Sequence, residues 1–285
     1  GNPIVALVHD PSLNYQVSGL SYDKDGNILA LNRNGVELDD SCSLAVVIDS
    51  LLYSYSGNRL QSVQDLSNYF SQGVTAANSS YSYDNNGNLI GDTGKGIQVE
   101  YNHLNLPRKI TAQKGTIEIW YDASGRKLRK KVTSQGGPNY TKDYADGVEY
   151  TDNYLEAIYH PEGRVVEDSL AEGGYRYEYT IADHLGNSRI YFADLNGDGR
   201  IQVRDDEATP ENESEILQEN HYYPYGMNMV GGWFEQKGVT NGYQYNGKEL
   251  NEDLGLGWSD YGARWNDAAI GRWGMVDPFA GKYYS

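Results

Sequence analysis

Oxygen-bearing side chains are gathered in one short stretch, Asp194-Leu-Asn196-Gly-Asp198-Gly199-Arg200-Ile-Gln-Val-Arg-Asp205. Asp194, Asn196, Asp198 and Asp205 stand at loop positions 1, 3, 5 and 12, and Gly199 supplies the sharp turn at position 6. The backbone carbonyl of Arg200 falls at position 7, and Ile201 follows as an apolar anchor. A hard cation such as Ca²⁺ needs a ring of about six or seven oxygens, and this spacing supplies one. Calcium is therefore the expected cofactor, in a structural role. The same residues also read as a polar hairpin tip rich in Asp, Asn and Gly.

Other reactive side chains are scattered. His9, His103, His160, His184 and His221 show neither the HExxH pattern nor i, i+4 ligand spacing. Cys42 is the single cysteine, so the chain forms no internal disulfide and has no CxxC metal pair. It sits beside Leu44-Ala-Val-Val-Ile48 and reads as a small apolar residue. Gly94-Lys-Gly96 lacks the rest of a phosphate-binding loop. No enzyme is expected from these residues.

The elements that must carry the loop are strands. The 285 residues include 26 Tyr and 33 Gly but only 4 Phe and 3 Met. Tyrosine suits a half-wet pleated surface, where its ring packs across strands and its hydroxyl meets water or backbone. A unit of the form Tyr-Asp-x-x-Gly-Asn-Leu recurs with drift. Copies include Tyr22-Asp-Lys-Asp-Gly-Asn-Ile28, Tyr55-Ser-Gly-Asn-Arg-Leu60, Tyr83-Asp-Asn-Asn-Gly-Asn-Leu89, Tyr101-Asn-His-Leu-Asn-Leu-Pro107 and Tyr121-Asp-Ala-Ser-Gly-Arg-Lys-Leu128. An Asp-x-x-Gly or Asn-Gly segment supplies the turn, since Asp or Asn bonds its own backbone and Gly accepts positive φ. The flanks alternate apolar and polar, as in Ile117-Glu-Ile-Trp-Tyr121 and Tyr175-Arg-Tyr-Glu-Tyr179. Each unit is then a β-hairpin, marginal alone and stable only in an array. The fold class expected is all-β: a curved or spiral sheet of antiparallel hairpins. Asp39–Leu66 and Asp205–Asn220 break the pattern, the first as a strand or short helix and the second as an acidic loop leading to a short element.

The formal net charge of −17 argues against nucleic acid as a partner, because phosphate binding needs a basic footprint. Arg126-Lys-Leu-Arg-Lys-Lys131 reads as one charged strand instead. No run reaches the roughly 18 apolar residues of a membrane span, and no signal peptide is visible.

The last third of the chain carries strings of another kind. They are Asp183-His-Leu-Gly-Asn187, Tyr222-Tyr-Pro-Tyr-Gly226, Tyr245-Asn-Gly-Lys-Glu249, Tyr261-Gly-Ala-Arg264, Gly271-Arg-Trp273 and Asp277-Pro278. In that order, and preceded by the repeats, they resemble the core of the Rhs (rearrangement hot spot) family of YD-repeat proteins. Ala268 stands where that family has Pro, and Ser259 where it has an aromatic residue. The resemblance implies a hollow shell of YD hairpins, with residues 1–176 as the repeat array and 177–285 as the core or plug segment. The calcium-like loop at 194–205 is an insertion within that second part.

The resemblance further implies a secreted or cell-surface bacterial protein that encloses or presents its own C-terminal cargo segment, in some relatives a toxin. Relatives can be aspartyl autoproteases. By that pattern Asp277 matches the first aspartate of the pair and Arg272 a supporting arginine, while the second aspartate is expected beyond Ser285. A carboxylate dyad shares one proton to act as acid and base together, so Asp277 alone is not expected to cut. A binding module is the alternative: a Tyr- and Trp-rich sheet gripping surface glycans, with Trp233, Trp258, Trp265 and Trp273 as candidates. The same tryptophans could equally be packing residues of the plug. Unpaired sheet edges would seek other copies of the chain unless the two irregular stretches cover them.

Overall fold

The structure is a computed structural model that describes residues 14–38, 43–169, 171–203, 214–231 and 240–280. Its backbone is almost wholly β. Nine strands form the first part of the main sheet: β1 (Val17–Tyr22), β2 (Ile28–Leu38), β3 (Ser43–Ser56), β4 (Arg59–Asp65), β5 (Asn78–Tyr83), β6 (Leu89–Asp92), β7 (Ile97–Tyr101), β8 (Pro107–Ala112) and β9 (Gly115–Tyr121). Eight more continue it: β10 (Lys127–Ser134), β11 (Tyr140–Ala145), β12 (Val148–Thr151), β13 (Tyr154–His160), β14 (Gly163–Glu167), β15 (Tyr175–Ala182), β16 (Ser188–Phe192) and β17 (Ile216–Glu219). Each strand pairs antiparallel with the next, so the 17 strands make one unbroken meander. The strip runs past residue 177 without interruption as far as Glu219.

The repeat turn explains why these residues meander. In the first hairpin the Asp23 carboxylate accepts the amides of Asp25 at 2.9 Å and Asn27 at 2.8 Å. The Asn27 side chain donates back to it at 2.8 Å. Gly26, at φ 82°, lets the chain reverse with its N–H on the Asp23 carbonyl. The same arrangement recurs at Asp84–Asn88 and Asp183–Asn187, and with Arg126 in place of Asn at Asp122. Neighbouring tips are then laced together by Asn side chains. Asn27 donates to Asn58 at 3.1 Å and Asn88 to Asn105 at 2.8 Å.

The stretch between 39 and 66 proves to be strand, since β3 and β4 lie within it, with 39–42 outside the described residues. Of the acidic stretch, 205–213 lie outside the described residues and Ile216–Glu219 form β17.

The C-terminal segment builds a second, four-stranded sheet from β18 (Glu249–Asn251), β19 (Trp258–Asp260), β20 (Trp265–Asp267) and β21 (Arg272–Trp273). It packs on the inward side chains of the strip. Leu31, Leu51, Val63, Ile97, Ile110, Ile117 and Val132 share one buried cluster with Leu256, Trp258, Trp265, Ile270 and Met275. Two of its strings, Tyr223–Met227 and Gln244–Lys248, are closed by the same pair of main-chain bonds as the repeat turns. The second caps the Asp183 turn directly, with the Asn246 amide on Asn187 Oδ1 at 2.9 Å. The plug thus continues the stacking of hairpin tips.

Candidate functional site

The plug is fastened to the strip through charges that the sequence hid. A bulge between Lys127 and Arg129 on β10 shifts the alternation by one residue. Lys127 and Lys130 therefore both point inward, while Leu128, Arg129 and Lys131 face solvent. Lys127 bonds Glu249 and lies 2.7 Å from Asp260. Lys130 lies 2.8 Å from Asp253 and 3.6 Å from Glu249. On β11, Lys142 lies 2.7 Å from Glu149 and 2.8 Å from Glu156. Three tyrosine hydroxyls complete the shell: Tyr144 on Glu249, Tyr140 on Asp253 and Tyr243 on Glu149.

Burial pushes the Glu249 carboxyl upward, but Lys127, Lys130 and Lys142 outweigh it and hold it down to about 2. Lys127 is pressed the same way, its desolvation overcome by Glu249 and Asp260 so that it stays charged. The Arg126–Lys131 stretch is thus a strand, as its alternation suggested, but it carries cations on both faces.

A second anchor is Arg33, 1 % exposed, which lies 2.8 Å from Asp49 and donates to the plug carbonyls of Ala268 and Ala269. Tyr53 donates to the Ile270 carbonyl at 3.1 Å, and the Leu89 amide to the Gly274 carbonyl at 2.8 Å.

Asp277 is paired with Arg264, at 2.9 Å, and not with Arg272. Its other carboxylate oxygen accepts the Phe279 amide at 2.8 Å, so the group caps the turn that ends the described chain. The Arg264 guanidinium lies over the Trp273 ring at 4.3 Å. Arg272 points elsewhere, to Asn27 Oδ1 at 3.1 Å and the Asn58 carbonyl at 2.9 Å, over the ring of Tyr55. Arg272 therefore clamps two hairpin tips. The signal for Arg264 was present in Tyr261-Gly-Ala-Arg264, but its contact with Asp277 spans a strand reversal that sequence order does not show.

In the loop, Asp194 accepts the amides of Gly197, Asp198 and Gly199, and Asn196 Oδ1 accepts Asp198. Asp198 accepts the Arg200 amide at 2.8 Å and the Gln202 side chain at 3.0 Å. Asp205 lies outside the described residues. Glu215, 2 % exposed and beyond the motif, closes the base by accepting the amides of Leu195, Asn196 and Gln202. Gln202 Oε1 is buried with no hydrogen-bond partner. The Asp194, Asn196 and Asp198 side chains are thus engaged by hydrogen bonds within the loop itself. Among the described residues, no three His, Cys, Asp or Glu side chains gather as metal ligands.

Of the four tryptophans named for sugar stacking, Trp258 and Trp265 are 1 % and 0 % exposed and contact each other edge to face. They pack the plug and offer no face to a glycan. Trp273 is half-covered by Arg264, and Trp233 lies outside the described residues. Exposed rings include Trp120 on β9 and three tyrosines, Tyr175, Tyr177 and Tyr179, in a row on β15, with His160 against the last two.

Solved structures share this architecture. The crystal structure of TcdB2-TccC3 superposes with a TM-score of 0.55 over 91 % of this chain, at 16 % identity. The crystal structure of TcdB2-TccC3-Cdc42 gives the same values. A Photorhabdus luminescens Tc holotoxin pore matches over 93 % of this chain, with a TM-score of 0.54 and 16 % identity. The likeness is one of fold. The chain spans 14 % of the length of each of these structures. No family model matches the chain, and neither does any curated protein. No helix among the described residues is long and apolar enough to cross a membrane.

Proposed function

We propose that the chain is part of an Rhs-type YD-repeat shell, from a secreted or surface protein, which encloses or presents a C-terminal cargo segment. The observation that carries this reading is the open 17-strand strip whose inner face is filled by the chain's own C-terminal segment. The likeness in fold to TcdB2-TccC3 and the motif strings support it. In this role the plug gives the strip an apolar face to close on, and its charged rim fixes the register between them. Asp277, tied to Arg264 and a turn amide, acts as a clasp on the last described turn.

The test is to express the chain with the coding sequence downstream of Ser285 and treat it with protease under native conditions. A downstream segment that resists digestion until the protein is unfolded fits enclosure. Free digestion in the native state would refute it. An Asp277→Asn version on a denaturing gel reports in parallel whether any self-cleavage depends on that carboxylate.

The loop at 194–205 serves this reading as a calcium staple. Asp194, Asn196, Asp198, the Arg200 carbonyl and Asp205 would hold the ion. Calcium bound there would neutralise the carboxylates and set the loop rigidly beside β16 and β17.

The exposed Tyr175–Tyr177–Tyr179 row favours a second reading, adhesion to surface glycans, because exposed ring faces suit sugar stacking. A glycan array run with wild type and Tyr177→Ala tests it. Loss of a signal in the variant would support adhesion, and no signal for either would remove that reading.

A further inference from the structure

One point in the charged rim brings a nucleophile, an electrophile and a proton carrier together away from water. Lys130 Nζ lies 3.2 Å from Oδ1 of Asn251 and 2.8 Å from Oδ2 of Asp253. Lys130 and Asn251 are 4 % and 1 % exposed. Tyr140 donates its hydroxyl to the other Asp253 oxygen at 2.7 Å, and its ring lies 5.7 Å from the ammonium. The Asn251 amide nitrogen faces the carbonyls of Glu249 and Trp258 at 3.4 and 3.5 Å. Glu249 and Asn251 share the buried face of β18, and the lysine comes from β10 across the plug interface.

We propose that Lys130 and Asn251 join in an intramolecular amide bond that fastens the plug covalently to the strip. Asp253, 2.8 Å away, first takes a proton from Lys130, leaving a neutral amine. The Nζ lone pair attacks Cγ of Asn251, forming the new C–N bond and a tetrahedral centre. Asp253 returns the proton to Nδ2, the Cγ–Nδ2 bond breaks, and ammonia leaves. The second amine proton passes from Nζ to the departing ammonia, which leaves as ammonium with the charge Lys130 brought, so one amide replaces another and nothing is oxidised or reduced.

Two physical arguments favour the step. Amine and amide are held in contact by strands 121 residues apart, which raises their effective concentration far above that of free groups. Lys130 is an ion-paired cation, 2.8 Å from Asp253 and 3.6 Å from Glu249, so the step is drawn forward by loss of ammonia to solvent and not by relief of an isolated charge. A cavity of about 710 Å³ lined by Lys130, Asp253 and Leu254 gives the ammonia a way out.

The experiment is the intact mass of the purified chain, followed by tryptic mapping. The expected result is a mass lower by one ammonia, and a branched peptide joining the segments around Lys130 and Asn251. Lys130→Arg keeps a buried cation and should restore the full mass in a protein with the wild-type circular dichroism spectrum. Asp253→Asn, folded by the same criterion, should stay largely uncrosslinked. An unchanged wild-type mass overturns the proposal. Loss of one water would mean a bond between a lysine and a carboxylate, for which Lys127, Lys130 and Lys142 each have a partner within 2.8 Å, and would overturn the assignment to Lys130 and Asn251. A crosslink of normal extent in Asp253→Asn would overturn the role given to Asp253.

Discussion

Glu249 shows how much one side chain decides here. Three lysines from two strands converge on it, and its carboxyl is held down to about 2 from an ordinary value of 4.5. A depressed carboxyl contributes stability that is complete above the unfolded value and is lost as pH falls towards the folded one. Unfolding midpoints should therefore drop between pH 4.5 and 2, by a loss of roughly 3 kcal/mol from this group. Glu249→Gln should flatten that fall. It should also destabilise at neutral pH by about 3–5 kcal/mol, because the lysines remain buried with less compensation. Denaturant titrations of both proteins across this range check the sign and the size. Asp49 behaves oppositely: burial, only partly offset by Arg33, pushes its carboxyl up to about 6. Its ionised form is disfavoured by folding, so acidification from about pH 6 towards 4 should raise stability, and Asp49→Asn should remove that rise.

At the scale of the element, the hairpin is held by its turn more than by its strands. In the Asp84 turn, one carboxylate satisfies the amides of Asn86 and Asn88 and the Asn88 side chain. Asp84→Ala would leave those donors to water and also release Asn88 from its hold on the next tip. The expected cost is about 1–3 kcal/mol, read as a shift in thermal midpoint. Gly87 takes φ 84° and would place a Cβ 2.7 Å from Val276 of the plug. Gly87→Ala should thus exceed the roughly 1 kcal/mol of the backbone term alone, through a clash specific to the docked plug. For the calcium-like loop, millimolar Ca²⁺ should raise the thermal midpoint, and Asp198→Asn should abolish the increment. Saturation at a hundred times the dissociation constant corresponds to roughly 2.7 kcal/mol. No shift on adding or chelating calcium would leave the loop as a hydrogen-bonded tip.

For the whole molecule, the open strip has two ends, β1 and β17, each with a strand partner on one side only among the described residues. An unpaired edge is a template for another strand, so the chain should self-associate as concentration rises. Light scattering that finds a monomer at high concentration would show that the edges are protected. Here the division between sequence and structure is plainest. The all-β class and the antiparallel meander followed from Asp-x-x-Gly-Asn and period-two alternation, because turn chemistry and pleat are local. The strings from Tyr222 onward fall in the C-terminal segment that packs on the strip.

What the sequence could not determine is which side chains meet across a hundred residues or more. A single bulge beside Leu128 turned Lys127 inward and made a charged strand into the plug's lock. Arg264 took the place at Asp277 that the motif order offered to Arg272, which instead reached back to Asn27 and Asn58. Trp258 and Trp265, which could as well have faced a sugar, were drawn into the shared apolar cluster. Local chemistry writes turns and alternation into neighbouring residues. Contacts between strip and plug depend on register and curvature summed over many strands, and only the assembled structure carries that sum.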